Sequence, residues 1–385
     1  MSLPAEALLP FIFGGGSGGG DSSEVLRQAK QYTDEQVNAA LDEAKEALLA
    51  CFEKVAWKEG NGREYFDALA EALSGSETYS TVLYTDGRFI INEKGSKREE
   101  NIALHGAVVA EYDPLDSLNT YVFTVDGSGN SSAPWASHKS DVTSVEIGST
   151  IRPTDMKGWF AKFSNCTAFL LGKLNCSRVT SLRQLFRGCS SMQSINLDPF
   201  ETTDNAVLKD MFGMFMECSA VTTLDLSMFN AQGVTSMYNT FNGCLALTSL
   251  LLPDLSTSSL TSIGCIFQDC QNLTSLDLSK FTANADSYMQ VFYNCKKLTS
   301  IDISGFSTSV LYHTSSMFRG CSALTTILAT SDFSVANVTN SNYMFRDSTN
   351  LVGGAGTTYN SSHLDKEYAR IDGGVSAPGY FTAKA

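Results

Sequence analysis

The most regular alternation of apolar and polar residues lies between Trp159 and Leu351. There an aromatic-x-x-Cys pair recurs as Phe163/Cys166, Phe186/Cys189, Phe215/Cys218, Phe241/Cys244, Phe267/Cys270, Phe292/Cys295 and Phe318/Cys321. Phe345 opens an eighth unit with Ser348 in the cysteine position. The cysteines are 23, 29, 26, 26, 25 and 26 residues apart, a period that marks stacked repeats. After each cysteine comes a strand-like phrase, as in CQNLTSLDLSKF from Cys270 and CKKLTSIDISGF from Cys295. Leu276 and Leu278 fall on one side of such a strand and Asp277 on the other. Before each cysteine the spacing is helix-like, with Met237 and Phe241 four apart in VTSMYNTFNGC. A unit of one short strand and one short helix cannot bury its own apolar face, so the units must stack. The expected fold class is therefore α/β: a leucine-rich-repeat-like solenoid of about eight strand-helix units carrying a parallel sheet over 155–350.

Stacking defines rows. The inward row is Ile195/Leu197, Leu224/Leu226, Leu250/Leu252, Leu276/Leu278, Ile301/Ile303 and Ile327/Ala329. Phe229, Phe281, Phe306 and Phe333 form an aromatic row, with Leu255 in one unit. Two rows face outward. One holds Ser194, Thr223, Ser249, Ser275, Ser300 and Thr326, the other Asn196, Asp225, Leu251, Asp277, Asp302 and Leu328. Ser249, Ser275, Ser300, Thr326, Asp225, Asp277 and Asp302 are the candidate ligand-binding residues, a shallow polar face for a glycan or protein; repeat drift on a solvated surface is the alternative. Asp277 and Asp302 fall side by side, which costs stability unless they are bridged or well hydrated.

Ahead of the repeats, residues 78–154 read as a small β-rich capping module. Thr81–Tyr84, Asp86-Gly87 and Phe89–Ile91 have the form of a hairpin, and Tyr121–Val125 and Val142–Ile147 read as further strands. Residues 21–77 read as a helical stalk. Val37, Leu41, Ala44, Leu48, Cys51 and Val55 follow a heptad seam, either a short coiled coil or an amphipathic helix packed on its own chain. Residues 1–20 hold Leu8, Leu9, Phe11, Ile12 and Phe13 ahead of a flexible glycine-rich linker, and read as a docking peptide or as a tail. No basic stretch precedes the apolar run, so no ordinary secretion signal is read. Residues 351–385 read as a closing cap.

Composition narrows the function. The net charge is −14, and residues 1–75 alone hold 13 acidic against 6 basic residues, whereas 155–350 hold 14 against 12. This argues against nucleic-acid partners and polybasic membrane attachment. Ala7 to Phe13 is far short of the ~20 apolar residues of a membrane span, so no membrane insertion is expected. Of 10 cysteines, seven recur at one repeat position and none forms C-x-x-C, so buried free thiols are expected in place of disulfides, zinc or a redox motif. His363 beside Ser361, Ser362 and Asp365 is a local Ser/His/Asp group, and neighbours in sequence rarely build a triad; His105, His138 and His313 show no obvious partner. No catalytic residue, metal or cofactor is assigned.

The motif F-x-x-C-x-x-L-T-S-L-D-L-S-x-F, the lead-in PWASHKSDVTSVEIGSTIRPTDMKGWF and the terminal VGGAGTTYNSSHLDKEYARIDGGVSAPGYFTAK together resemble the BspA-like leucine-rich repeat family of bacterial surface proteins, over about 78–385. That resemblance implies adhesion or host-surface recognition. AKQYTDEQVNAALDEAKEALL looks like the short coiled segments of bacteriophage tail fibres, and ACFEKVAWKEGNGREYFDALAEAL is similar to segments of phage and prophage structural proteins. Together they imply a non-enzymatic virion fibre, of tail or head. Its N-terminus would bind virion structural proteins, its stalk would form a homo-oligomer such as a trimer, and its repeats would bind a host-cell surface glycan or protein. The alternative is a BspA-like cell-surface adhesin; a polysaccharide-acting enzyme ranks below both.

Overall fold

The structure is a computed structural model, which describes residues 79–94, 97–112, 123–200, 208–256 and 260–384. The docking residues Leu8, Leu9, Phe11, Ile12 and Phe13, and the helical stalk, lie outside the described residues.

The chain from Thr78 onward is one compact unit. It opens with β1 (Tyr79–Tyr84), β2 (Arg88–Lys94), α1 (Arg98–His105) and β3 (Val108–Tyr112), followed by β4 (Ser144–Ile147) and β5 (Ala168–Leu170). The hairpin at Asp86-Gly87 is formed: β1 and β2 pair antiparallel, and Gly87 takes the positive φ of 84° that the turn requires. The sheet runs β3-β1-β2-β4-β5, and its β2–β4 and β4–β5 pairs are parallel. β5 already belongs to the first repeat, so the sheet of the module continues into the array. One hydrophobic core runs from Leu83 and Phe89 through Trp135 and Trp159 to Tyr380 and Phe381. Tyr121–Val125 is not a described strand; Val125 makes only an isolated bridge to Ser131.

The expected α/β solenoid is corrected. Among the described residues the one α-helix is α1, which precedes the array, and the pre-cysteine stretches read as helices are turns. Nor does one parallel sheet line the array. Its short strands are β6 (Thr223–Asp225), β7 (Ser249–Leu251), β8 (Ser300–Asp302), β9 (Thr326–Ala329) and β10 (Phe381–Ala383), paired as β6-β7 and β10-β9-β8. Ser275 and Asp277 lie between these pieces, outside any strand.

The physical reason lies in the backbone donors. Leu182, Gln184, Phe186 and Gly188 donate N–H to Asp210, Phe212, Met214 and Met216 of the next repeat at 2.7–2.9 Å. The residues between them, Leu185 and Arg187, turn back onto Leu182 and Gln184. An α-helix spends every N–H on its own i−4 carbonyl and has none for a neighbour. The alternation needs left-handed residues four apart, and each repeat supplies them: Gln184/Gly188, Gly213/Glu217, Asn239/Gly243, Cys265/Asp269, Gln290/Asn294, Ser316/Gly320 and Tyr343/Asp347. Met237 and Phe241 are buried together as their spacing implied, but a turn provides that face.

These left-handed pairs also fix the repeat register. In the first repeat they are Gly158 and Lys162, which makes Phe160 the equivalent of Phe186. Phe160 stacks on Phe186 with ring centroids 5.6 Å apart, and Phe163 stands where later repeats carry cysteine. The assignment of Phe163/Cys166 as the first unit is therefore out of step by three residues. The column Phe160, Phe186, Phe215, Phe241, Phe267, Phe292, Phe318 and Phe345 continues at centroid spacings of 5.6–6.1 Å. Full burial of each ring contributes about 2–3 kcal/mol.

Candidate functional site

Each repeat offers hydroxyls and carboxylates to solvent along the strand edge. The fold itself uses many of them. Thr222 Oγ1 donates to the Gln193 carbonyl (3.5 Å), Thr248 to Thr222 (3.0 Å) and Thr325 to Thr299 (3.0 Å). These threonines tie one repeat to the one before.

The acidic row is also partly committed. Asp225 Oδ1 accepts the N–H of Ser227 (2.9 Å) and its hydroxyl (2.6 Å). Asp277 Oδ1 accepts the Ser279 N–H and Asp302 Oδ1 the Ser304 N–H, both at 2.9 Å. The L-D-L-S phrase is thus an Asx turn that ends each strand segment. The hydrogen bond from the Ser227 hydroxyl, with that from its N–H, holds the Asp225 carboxyl below the usual range, and the Ser279 N–H does the same for Asp277. Partial burial pushes Asp302 up, but Lys384 and Ser304 together outweigh it and leave the carboxyl lowered. Lys384 Nζ lies 2.8 Å from Asp302 Oδ2 and 2.8 Å from Ser304 Oγ. The C-terminal cap thereby relieves the Asp277–Asp302 repulsion that their adjacency implies.

The serine row remains. Ser249 pairs in register with Thr223, and Ser300 with Thr326. Ser249, Ser275 and Ser300 are exposed, and their hydroxyls make no hydrogen bond among the described residues. Leu251, half exposed at 52%, sits in register with Asp225 and adds an apolar contact to the face. The structure thus divides the predicted ligand-binding residues. Ser249, Ser275 and Ser300 are uncommitted, Asp225 and Asp277 keep one carboxylate oxygen free of their turn, Asp302 is paired with Lys384, and Thr326 is half-buried.

The thiols are not a reactive site. All nine described cysteines are buried and unpaired. Six of them donate S–H to the phenylalanine carbonyl one repeat earlier, from Cys189 on Phe160 (3.2 Å) to Cys321 on Phe292 (2.9 Å). Ser348 Oγ closes the ladder on Phe318 at 2.5 Å. Cys166, outside the ladder, bonds to Ala168 instead. Burial pushes Cys321 up to about 12, and raises the other ladder thiols well above their ordinary value.

The histidines have partners that the sequence did not show: His105 with Asp86 (2.8 Å), His138 with Asp141 (3.0 Å) and His313 with Ser315 (2.6 Å). His363 stacks on Tyr368 at 4.3 Å, while Asp365 accepts the N–H of Tyr343. Sequence reasoning also missed aromatic and arginine contacts on the turn face. Arg183 lies 3.8 Å over the Phe212 ring, which stacks on Tyr238 at 5.5 Å. The left-handed pairs align these positions, and they become visible once the repeats are set in that register.

Three overlapping stretches, 154–281, 209–330 and 261–369, match the family described as Mycoplasma protein of unknown function, DUF285. Together they span more than half of the chain, and their starts are 55 and 52 residues apart, about two repeats. No curated protein matches.

Proposed function

The chain belongs to the DUF285 family of unknown function, and from that premise we propose that it is a non-enzymatic recognition protein whose repeat array binds a host-cell surface glycan or protein. The observation that carries this reading is the division of labour among the hydroxyls. The Thr222, Thr248 and Thr325 hydroxyls hold repeats together, while Ser249, next to Thr248, and Ser275 and Ser300 at the same position of other repeats are exposed and unused. A row of free donors and acceptors repeated from unit to unit, beside a half-exposed leucine, suits a shallow extended ligand.

The carrier we propose is a bacteriophage or prophage virion fibre, attached through its N-terminus to virion structural proteins and assembled as a homo-oligomer. The order of apolar peptide, glycine linker and heptad segment supports it. A BspA-like cell-surface adhesin is the second reading, supported by the repeated F-x-x-C-x-x-L-T-S-L-D-L phrase. Particle-binding assays with chains lacking residues 1–20 separate the two. Loss of attachment with the array still folded supports the fibre; retained attachment removes the docking role of Leu8, Leu9, Phe11, Ile12 and Phe13.

A further inference from the structure

The strand edge is one face of the array; the turn face carries a different chemistry. Tyr293, Arg319 and Arg346 occupy the same position in three successive repeats, and Tyr343 stands three residues before Arg346. The Arg319 guanidinium carbon lies 5.6 Å from the ring centres of both Tyr293 and Tyr343, and that of Arg346 lies 5.1 Å from Tyr343. All are within cation–π range. Neither guanidinium donates a hydrogen bond among the described residues; the nearest carboxylate is Asp347, whose Oδ2 is 3.9 Å from Arg319 Nε and 3.6 Å from Arg346 Nε. Two planar donor forks are therefore held against aromatic rings with their hydrogen bonds unspent.

Tyr343 is the unusual member. Its φ is 61° and its side chain is 47% exposed. The equivalent residues are Gly158, Gln184, Gly213, Asn239, Cys265, Gln290 and Ser316. The position requires the left-handed conformation, which glycine or asparagine adopts readily and a bulky aromatic residue does not. Such strain persists where the surroundings over-determine it, and it clusters at ligand sites. Here the Tyr343 N–H is fixed by Asp365 Oδ1 at 2.8 Å, and the Asp347 N–H donates to the Tyr359 hydroxyl at 3.3 Å.

We propose that Tyr343, Tyr293, Arg319 and Arg346 form a subsite for a carboxylate-bearing sugar. The proposal rests on the recognition reading above and names a ligand class for a second face. The exposed tyrosine ring supplies a platform for the C–H face of a pyranose, and the arginine forks donate to a carboxylate at its edge in bidentate geometry. Charge complementarity is local. Two arginines share one aspartate, while the whole chain carries −14, so the subsite selects its ligand by contact and not by long-range steering.

Isothermal titration of the full-length chain with 3′-sialyllactose, lactose and tetraglutamate tests this. Sialyllactose should bind at least tenfold more tightly than lactose and more tightly than tetraglutamate. Arg319→Gln and Arg346→Gln should each weaken it about fivefold or more. Tyr343→Asn, which keeps a residue suited to the left-handed backbone as Asn239 is in its repeat, should weaken it about tenfold while leaving the fold intact. Lys297→Gln, at an exposed residue outside both groups, should leave it unchanged. Equal affinity for lactose, preference for tetraglutamate, no binding, or binding unaffected by Tyr343→Asn overturns the subsite. None of these results touches the strand-edge reading, which is decided by binding to cells.

Discussion

The Cys321 thiol donates to the backbone carbonyl of Phe292 at 2.9 Å, one repeat away, beneath rings that stack at 5.6 Å between Phe318 and Phe292. The same pair of contacts recurs along the array, so the Phe-x-x-Cys signature is a joint between repeats. The thiol is small enough for the core and offers a second donor to a carbonyl that already accepts a backbone N–H, as Phe292 does from Cys295. Ser348 makes the same bond to Phe318. Replacing Cys270 with Ser should therefore cost less than replacing it with Ala, which loses both the donor to Phe241 and packed volume. Chemical denaturation should show about 1–2 kcal/mol lost for Cys270→Ala and less for Cys270→Ser.

Burial of these thiols makes the array sensitive to alkali. Their folded values lie above the ordinary 9, with Cys321 at about 12. A group raised on folding contributes stability that is complete below the unfolded value and is lost as pH climbs toward the folded one. Stability should hold to about pH 8.5 and then fall by about 1.4 kcal/mol per pH unit for each such thiol. Denaturation midpoints between pH 8 and pH 11 measure this. The slope should lessen in Cys321→Ser, because serine does not titrate there. The ladder thiols should also resist a thiol reagent until denaturant is added.

The left-handed positions give substitutions of opposite sign within one repeat. Gly320 has φ 75°, and a Cβ there would sit 2.3 Å from Asn294 Oδ1. Gly320→Ala should destabilise by about 1–3 kcal/mol. Ser316, four residues earlier with φ 55°, pays for that conformation, so Ser316→Gly should be neutral or stabilise by up to about 1 kcal/mol. Thermal melts of the two variants check the signs.

Adjacent hydroxyls should separate stability from binding. Thr248→Val removes the bond to the Thr222 carbonyl and should cost about 1 kcal/mol without altering ligand binding. Ser249→Ala touches no bond of the fold and should change stability by less than about 0.5 kcal/mol. Paired denaturation and binding curves test the contrast.

The repeat period, the inward row and the buried cysteines were legible because side-chain burial obeys periodicity whatever the backbone does. The helices were misread because Met237 and Phe241 share a face in a four-residue spacing that turns also provide. The corrective signal was local: Gly188, Gly243, Asp269, Asn294, Gly320 and Asp347, residue types that tolerate positive φ, directly precede the cysteine or its serine equivalent. Phe163-x-x-Cys166 copied the repeat signature by chance of spacing, and only the stacking of Phe160 on Phe186 exposed the shift. The aspartate row looked like a ligand surface because its Asx-turn role needs the serine two positions on to be read with it. The contact between Lys384 and Ser304 spans 80 residues, and like the neighbouring one to Asp302 it leaves no local trace.

The central claim is that the unused serine row of the array recognises a cell surface. Adsorption of labelled full-length chain to a panel of whole bacterial cells, compared with the Ser249/Ser275/Ser300→Ala variant, measures it most directly. The account predicts saturable binding to some strains, reduced at least tenfold in the variant with an unchanged melting temperature. Equal adsorption of both proteins, or no binding to any strain, would contradict it.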